Sequence, residues 1–284
     1  MRKLSDSYLF QLKSGFLSGI VDLINKDYDL NFEIRNNYIN VYFKGHSILN
    51  LREIRNNRYS IQVHEKFIQG LNLPSALVDR HSTEEFIQAI PFIKSNVVNL
   101  DISTLEAEYE QMIIRANNYE KRNNSEYFII DRQYVAGKEK FDLTGFYWKN
   151  RGRRKFQTVD LCLMEVKFAL NSDIKDIHEQ LERYYHAIKS NTLEFVDECE
   201  NLFKQKLELG LFKQSPERLA AMETLSFSKD ISDFQFIIFL IDFNPYSSIL
   251  KLDELRKLSF ANQIRIFNGG FSLWHQNLLN IFDA

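Results

Sequence analysis

The sequence predicts a mixed α+β chain in two parts: an N-terminal helix with an antiparallel β-meander over residues 1–100, and an αβββαβ core with a mixed sheet over residues 101–284. Three observations predict it. Short alternating apolar and polar runs fill residues 30–63, separated by Asn36-Asn37, Gly45-His46 and Asn56-Asn57, which are hairpin signals. Residues 105–189 read as an apolar stripe at helical spacing, three strand-like runs and a second helical stripe. The run Phe234–Ile241 is apolar at nearly every position, as in a central strand covered by helices on both faces.

The elements follow in order. Leu9, Leu12, Phe16, Ile20 and Leu23 keep a helical period, so residues 5–26 are expected as one helix. Leu30–Arg35, Tyr38–Lys44, Ser47–Leu51 and Arg58–Val63 make the meander. A short helix is expected over Ser82–Ile90, stopped by Pro91. Ser103-Thr104-Leu105-Glu106 has the form of a capping box, opening a helix with the stripe Leu105, Tyr109, Met112, Ile113 and Ala116. Tyr127–Tyr134, Phe141–Trp148 and Thr158–Phe168 are the three strands, and Asp173–Lys189 is amphipathic through Ile174, Ile177, Leu181, Tyr184 and Ile188. A helix over Leu193–Leu211 and strands at Phe234–Ile241 and Gln263–Phe267 complete the chain, with the boundary between the parts near residues 95–102.

Composition excludes several classes. With 44% hydrophobic residues, 10 Gly and 4 Pro, the chain is neither low-complexity nor linker-rich. No run approaches the roughly 20 apolar residues of a membrane span, and the start, Met1 to Asp6, lacks a signal-peptide stretch. Two cysteines, Cys162 and Cys199, fit a reducing compartment without a disulfide framework, so a soluble, cytoplasmic protein is expected. The net charge of −2 gives no global attraction to nucleic acid. Local attraction would come from Lys149, Arg151, Arg153, Arg154 and Lys155, five cations in seven residues at a hairpin tip expected beside the acidic pair described next; the alternative is an ordinary solvated tip.

Asp142 begins the second core strand, and Glu165-Val166-Lys167 closes the apolar run Leu161–Met164 of the third. Glu165 and Lys167, two apart, share one strand face, with Val166 on the other. If the hairpin turns around Arg153 and Arg154, Asp142 stands opposite Glu165. Two carboxylates that close repel unless they share a proton or a cation. Hard oxygen donors favour Mg²⁺ or Mn²⁺ over zinc, and such an ion polarises a phosphodiester and activates water. Lys167 would hold that water or neutralise developing charge; the alternative for the three residues is an ordinary salt bridge. Glu110, on the flank of the preceding helix, is expected to reach the site and to position a second ion. Asp131, read as ending the neighbouring strand, would support the site from behind or pair with Arg132 or another cation.

From about Glu106 to Tyr184, and more loosely to Phe267, this chain resembles the PD-(D/E)XK nuclease superfamily, the restriction-endonuclease-like fold. The resemblance is carried by Phe141-Asp142, with Phe where that family has Pro, followed after 22 residues by Glu165-Val166-Lys167, and by Glu179-Gln180-Leu181-Glu182-Arg183-Tyr184 on the next helix. It implies Asp142, Glu165, Lys167 and Gln180 as catalytic residues. It implies a Mg²⁺ or Mn²⁺ ion on Asp142, Glu165, the Val166 backbone carbonyl and Glu110, with Tyr184 at the nucleic acid. The function expected is a metal-dependent nuclease acting on DNA, in defence or repair, with a two-fold dimer if both strands are cut. The competing expectation is a catalytically silent nuclease-fold module for nucleic-acid binding or assembly. His178, Glu182 and His186 recur every four residues on one helix, but lacking a fourth zinc ligand they read as a solvated polar face.

Overall fold

The computed structural model describes residues 2–100, 105–150, 157–169 and 171–272. Residues 5–26 form two helices, α1 (Asp6–Lys13) and α2 (Ser18–Lys26), rather than one. The break falls at Gly15, where a Cβ would stand 2.7 Å from Gln11 Cα, and the Gln11 side-chain oxygen accepts the Phe16 N–H at 3.1 Å. Leu9, Leu12 and Ile20 are buried on both sides of the break, so the apolar period survives an interruption that only the glycine marks.

Strands β1 (Leu30–Ile34), β2 (Tyr38–Phe43), β3 (His46–Arg55), β4 (Arg58–Gln62) and the two-residue β5 (Ala76–Leu77) form an antiparallel sheet in sequential order. Asn37, Asn56 and Asn57 adopt positive φ in its turns, a conformation asparagine tolerates better than most residues. Helix α3 (Arg80–Asn99) carries Pro91 in its interior instead of ending there. Phe86, Ile90, Ile93 and Val97 are buried along one stripe while Pro91 faces solvent. That packing outweighs the roughly 3 kcal/mol an interior proline costs.

Helix α4 (Leu105–Ile114) begins the second part; Ser103 and Thr104 of the expected capping box lie outside the described residues. It is followed by β6 (Tyr127–Ala136), β7 (Glu139–Tyr147) and β8 (Thr158–Phe168). Helices α5 (Ile177–Lys189), α6 (Thr192–Glu208) and α7 (Pro216–Met222) come next. The chain ends with β9 (Ser226–Phe227), β10 (Gln235–Ile241), α8 (Leu252–Lys257) and β11 (Ile264–Gly269). The sheet order is β11-β10-β8-β7-β6, with β9 beside the start of β8. β6, β7 and β8 are antiparallel, whereas β10 runs parallel to β8 and β11. A parallel return requires a crossover, which α5 to α7 supply. The architecture is therefore mixed α+β, with two sheets.

Both faces of the second sheet are covered. Phe128, Phe146, Leu161, Leu163, Phe236 and Ile238 join a large core continuous with α1 to α3, the meander, α5 and α6. Ile129, Leu143, Cys162, Met164, Val166 and Ile237 join a smaller cluster with Ile114 of α4. The core thus runs across the expected boundary near residue 100, as do buried ion pairs such as Lys206 with Glu33 at 2.7 Å. Both cysteines are free and buried. No helix among the described residues is long and apolar enough to cross a membrane.

Candidate active site

The sheet splits at Asp142. The β7–β8 ladder runs from Tyr147 opposite Asp160 to Leu143 opposite Met164 and stops. Its register is the one expected for a hairpin turning near Arg153 and Arg154, and continued by one step it sets Asp142 against Glu165. β8 stays paired with β10 through Phe168, while β7 beyond Leu143 stays with β6 out to the turn between Ala136 and Glu139. The two strands therefore part company where the acids stand. Here the Asp142 carboxylate accepts the Val166 N–H at 2.9 Å, taking up a backbone donor that the ended ladder leaves over.

Glu165 is held from two elements. Its Oε1 accepts from Lys167 Nζ at 2.6 Å and Gln180 Nε2 at 2.7 Å, and its Oε2 accepts from the Tyr184 hydroxyl at 2.8 Å. Gln180 also donates to the Tyr184 hydroxyl at 2.5 Å. That hydroxyl lies 2.6 Å from the Lys140 carbonyl as well, so its single proton serves one acceptor at a time. The spacing of four on α5 makes this possible, because it stacks Gln180 and Tyr184 on one helix face.

Charge in this wedge is out of balance. Burial, then the carboxylates of Glu165 and Glu110, push the Asp142 carboxyl up to about 8, against the weaker pull of the Val166 N–H and Lys167. For Lys167, burial alone would favour loss of the proton, but Glu165 and Asp142 beside it hold the ammonium above its ordinary value. A neighbourhood that keeps protons on an acid and on an amine is one short of positive charge.

The structure brings Asp142, Glu165, Lys167, Gln180 and Tyr184 together and sorts the remaining candidates differently. Glu110 is buried on α4 and bridged to Arg132 of β6; burial nevertheless raises its proton affinity more than Arg132 lowers it. Asp131 lies within β6 rather than at its end, and it pairs with Arg35 at 2.6 Å and with Arg2, not with Arg132. It sits opposite Thr144, two residues deeper along the strands than Asp142. Tyr184 is only 2% exposed, so its hydroxyl orients Glu165 and is not at a surface where nucleic acid binds. Arg151, Arg153, Arg154 and Lys155 fall outside the described residues. Lys149 is exposed beyond the end of β7, seven residues past Asp142, or roughly 20 Å of strand. Lys149 therefore stands at the far end of the β7–β8 ladder and not beside the acidic pair.

Three residues that sequence reasoning does not single out belong near the centre. Glu106 stands one helical turn before Glu110, exposed; its charge is felt at Lys167 and Glu110, and it accepts from Asn171 Nδ2 at 2.8 Å. The four-residue spacing from Glu110 was the available signal. Lys138 and Lys140 are exposed at the β6–β7 turn, at the acidic end of the hairpin. Gly137-Lys138-Glu139-Lys140 carries charges of both signs and no spacing that ties it to Asp142 or Glu165.

Among the described residues no three His, Cys, Asp or Glu side chains form a ready metal cluster. Magnesium needs fewer, since it keeps several waters and is commonly held by one or two carboxylates plus substrate phosphate. Asp142 and Glu165 fit that donor set; the second Asp142 oxygen has no hydrogen bond among the described residues. Glu110, engaged by Arg132, does not fit. A cavity of about 360 Å³ lies on the opposite sheet face, lined by Tyr109, Met164, Phe239 and Phe267 among others, and no acid lines it. Comparison of the chain with family models, with curated proteins and with solved structures finds no significant match.

Proposed function

We propose that this protein is a divalent-metal-dependent nuclease that hydrolyses phosphodiester bonds, with DNA as its substrate. One observation carries the reading: two carboxylates meet where β7 and β8 diverge, with one ammonium hydrogen-bonded to the second of them. Asp142 and Glu165 would hold Mg²⁺ or Mn²⁺, and the ion would supply Lewis-acid activation of a bound water and of the scissile phosphate. Lys167 stabilises charge developing on the phosphoryl oxygens. Gln180 and Tyr184 keep Glu165 in one rotamer, so that its acceptor directions are fixed before substrate arrives. Exposed Lys138 and Lys140 neutralise backbone phosphates near the scissile bond.

A second reading has its own support. Both Glu165 oxygens already accept hydrogen bonds, an arrangement that would serve a silent, structurally retained module equally well. The assay that separates them incubates purified protein with plasmid, single-stranded DNA and RNA under Mg²⁺, Mn²⁺ or EDTA. Metal-dependent cleavage that falls at least about 100-fold in Lys167→Ala, within the range for loss of one charge-stabilising donor, is the expected result. Equal rates for Lys167→Ala and wild type would remove the assignment.

A further inference from the structure

Gln133 stands opposite Asp142 across the β6–β7 pair, between the ladder positions Arg132–Leu143 and Tyr134–Phe141, and that step is missing from the ladder. Its φ is +55°, a left-handed conformation that costs a non-glycine residue on the order of 1 kcal/mol and persists only where surroundings impose it. β6 is the edge strand of its sheet, so the groups imposing it come from outside that sheet. Arg35, just after β1, donates to the Arg132 carbonyl at 2.8 Å and to Asp131 Oδ1 at 2.6 Å. Arg2 donates to the Gln133 carbonyl at 3.2 Å and to the other Asp131 oxygen. Its guanidinium lies 4.7 Å from the Tyr134 ring centre, and its own backbone N–H is held by Glu198 at 3.0 Å. Four consecutive β6 residues, Asp131 to Tyr134, are thus gripped by two arginines of the N-terminal part, the first three through hydrogen bonds.

We infer that Arg2 and Arg35 are positioning residues for the Asp142 centre, clamping the left-handed Gln133 so that β7 breaks from the ladder at Asp142 and its carboxylate reaches Val166. This rests on the proposed nuclease reading for its catalytic consequence, though not for its geometry. The N-terminal part thereby acquires a role in the site, since it supplies the two cations that hold the edge of the catalytic sheet.

Arg2→Ala is the informative variant, because Arg2 is the more peripheral of the two. The expected result is a fall in kcat of about tenfold with KM for DNA unchanged, the factor set by the strain released. Gln133→Gly in the Arg2→Ala background should restore the rate, since glycine adopts the left-handed backbone without a clamp. A purely stabilising role for Arg2 would lower Tm and leave kcat untouched well below the melting temperature, and the glycine would rescue nothing; either outcome overturns the inference. Amide hydrogen exchange at Val166 gives a readout independent of cleavage. Faster exchange in Arg2→Ala, reversed by Gln133→Gly, upholds the clamp even if wild type cleaves nothing, in which case the nuclease reading alone fails. Unchanged Val166 exchange removes the clamp even if the enzyme is active.

Discussion

Replacing Asp142 by asparagine tests the electrostatics of the centre without reference to substrate. The amide keeps an oxygen for the Val166 N–H and removes a negative charge that faces Glu165 and Glu110. In the folded protein this carboxyl is held up to about 8 by burial and by those two neighbours, whereas its ordinary value is 3.8. Folding therefore takes up a proton at every pH between the two values. Wild-type stability from this group falls as pH rises through that window and levels off above about 8, while asparagine contributes no such slope. Between pH 5 and pH 8 the gap between variant and wild type should widen by roughly 4 kcal/mol on simple linkage. For a chain of this size that is about 6 °C in Tm.

The assay is thermal unfolding by circular dichroism or calorimetry in EDTA, so that no cation offsets the repulsion, at half-unit pH steps. Asp142→Asn should melt above wild type at pH 8, with the difference shrinking toward pH 5. A difference that stays flat with pH, or a variant that melts lower at pH 8, would refute the claim that uncompensated negative charge is stored at this position. The same substitution should abolish cleavage, so a more stable protein would be an inactive one, the trade expected where a site is strained for function.

Three further outcomes are expected. Mn²⁺ affinity, measured by calorimetry, should strengthen close to tenfold per pH unit from pH 6 up to about 8, because a cation must displace the Asp142 proton, and then flatten; a pH-independent affinity would place the ion elsewhere. Glu110→Gln should destabilise by about 3 kcal/mol, because it strands the buried Arg132 guanidinium, whereas Glu106→Gln should leave Tm within about 1 °C and weaken Mn²⁺ binding; the reverse pattern would restore Glu110 as the metal-facing acid of α4. Neutralising Lys138 with Lys140 should raise KM for DNA and lower the salt slope by about two. Neutralising Arg153 with Arg154 should change the slope and not kcat, and no change in either pair would leave phosphate contacts unassigned.

The β7–β8 register was legible because period-two patterning and a plausible turn leave few alternatives, and a slip of one would have put Leu161 and Leu163 on the wrong side. The central position of β10 was legible from apolarity on both faces. The break at Gly15 and the continuity through Pro91 were not, since both depend on how much packing the flanking turns gain, which is a tertiary quantity. The two-residue strands β5 and β9 are too short to carry any period. The least legible feature was the Arg2–Asp131 contact, 129 residues apart in sequence: no local pattern distinguishes an arginine that grips a distant edge strand from one that is solvated. Tyr184 shows the converse. Its helical spacing from Gln180 was visible, but whether a tyrosine in an apolar stripe looks out or in is settled only by what packs over it, here Phe141 at 4.3 Å between ring centres.

The places where local rules fail coincide with the acids. The β7 ladder is missing toward Gln133 on one side and ends toward β8 on the other, and both interruptions fall at Asp142. A sheet optimised only for stability would pair these positions and put apolar residues at 142 and 165. Here the chain instead commits Gln180, Tyr184 and Lys167 to Glu165 and a main-chain donor to Asp142, and it holds the neighbouring strand with arginines from the other part of the fold. With Glu110 bridged to Arg132, Asp142, Glu165 and Glu106 all act on Lys167 at the wedge, so a proton on Asp142 holds a position that a divalent ion, bringing two charges and its own waters, would fill with less repulsion.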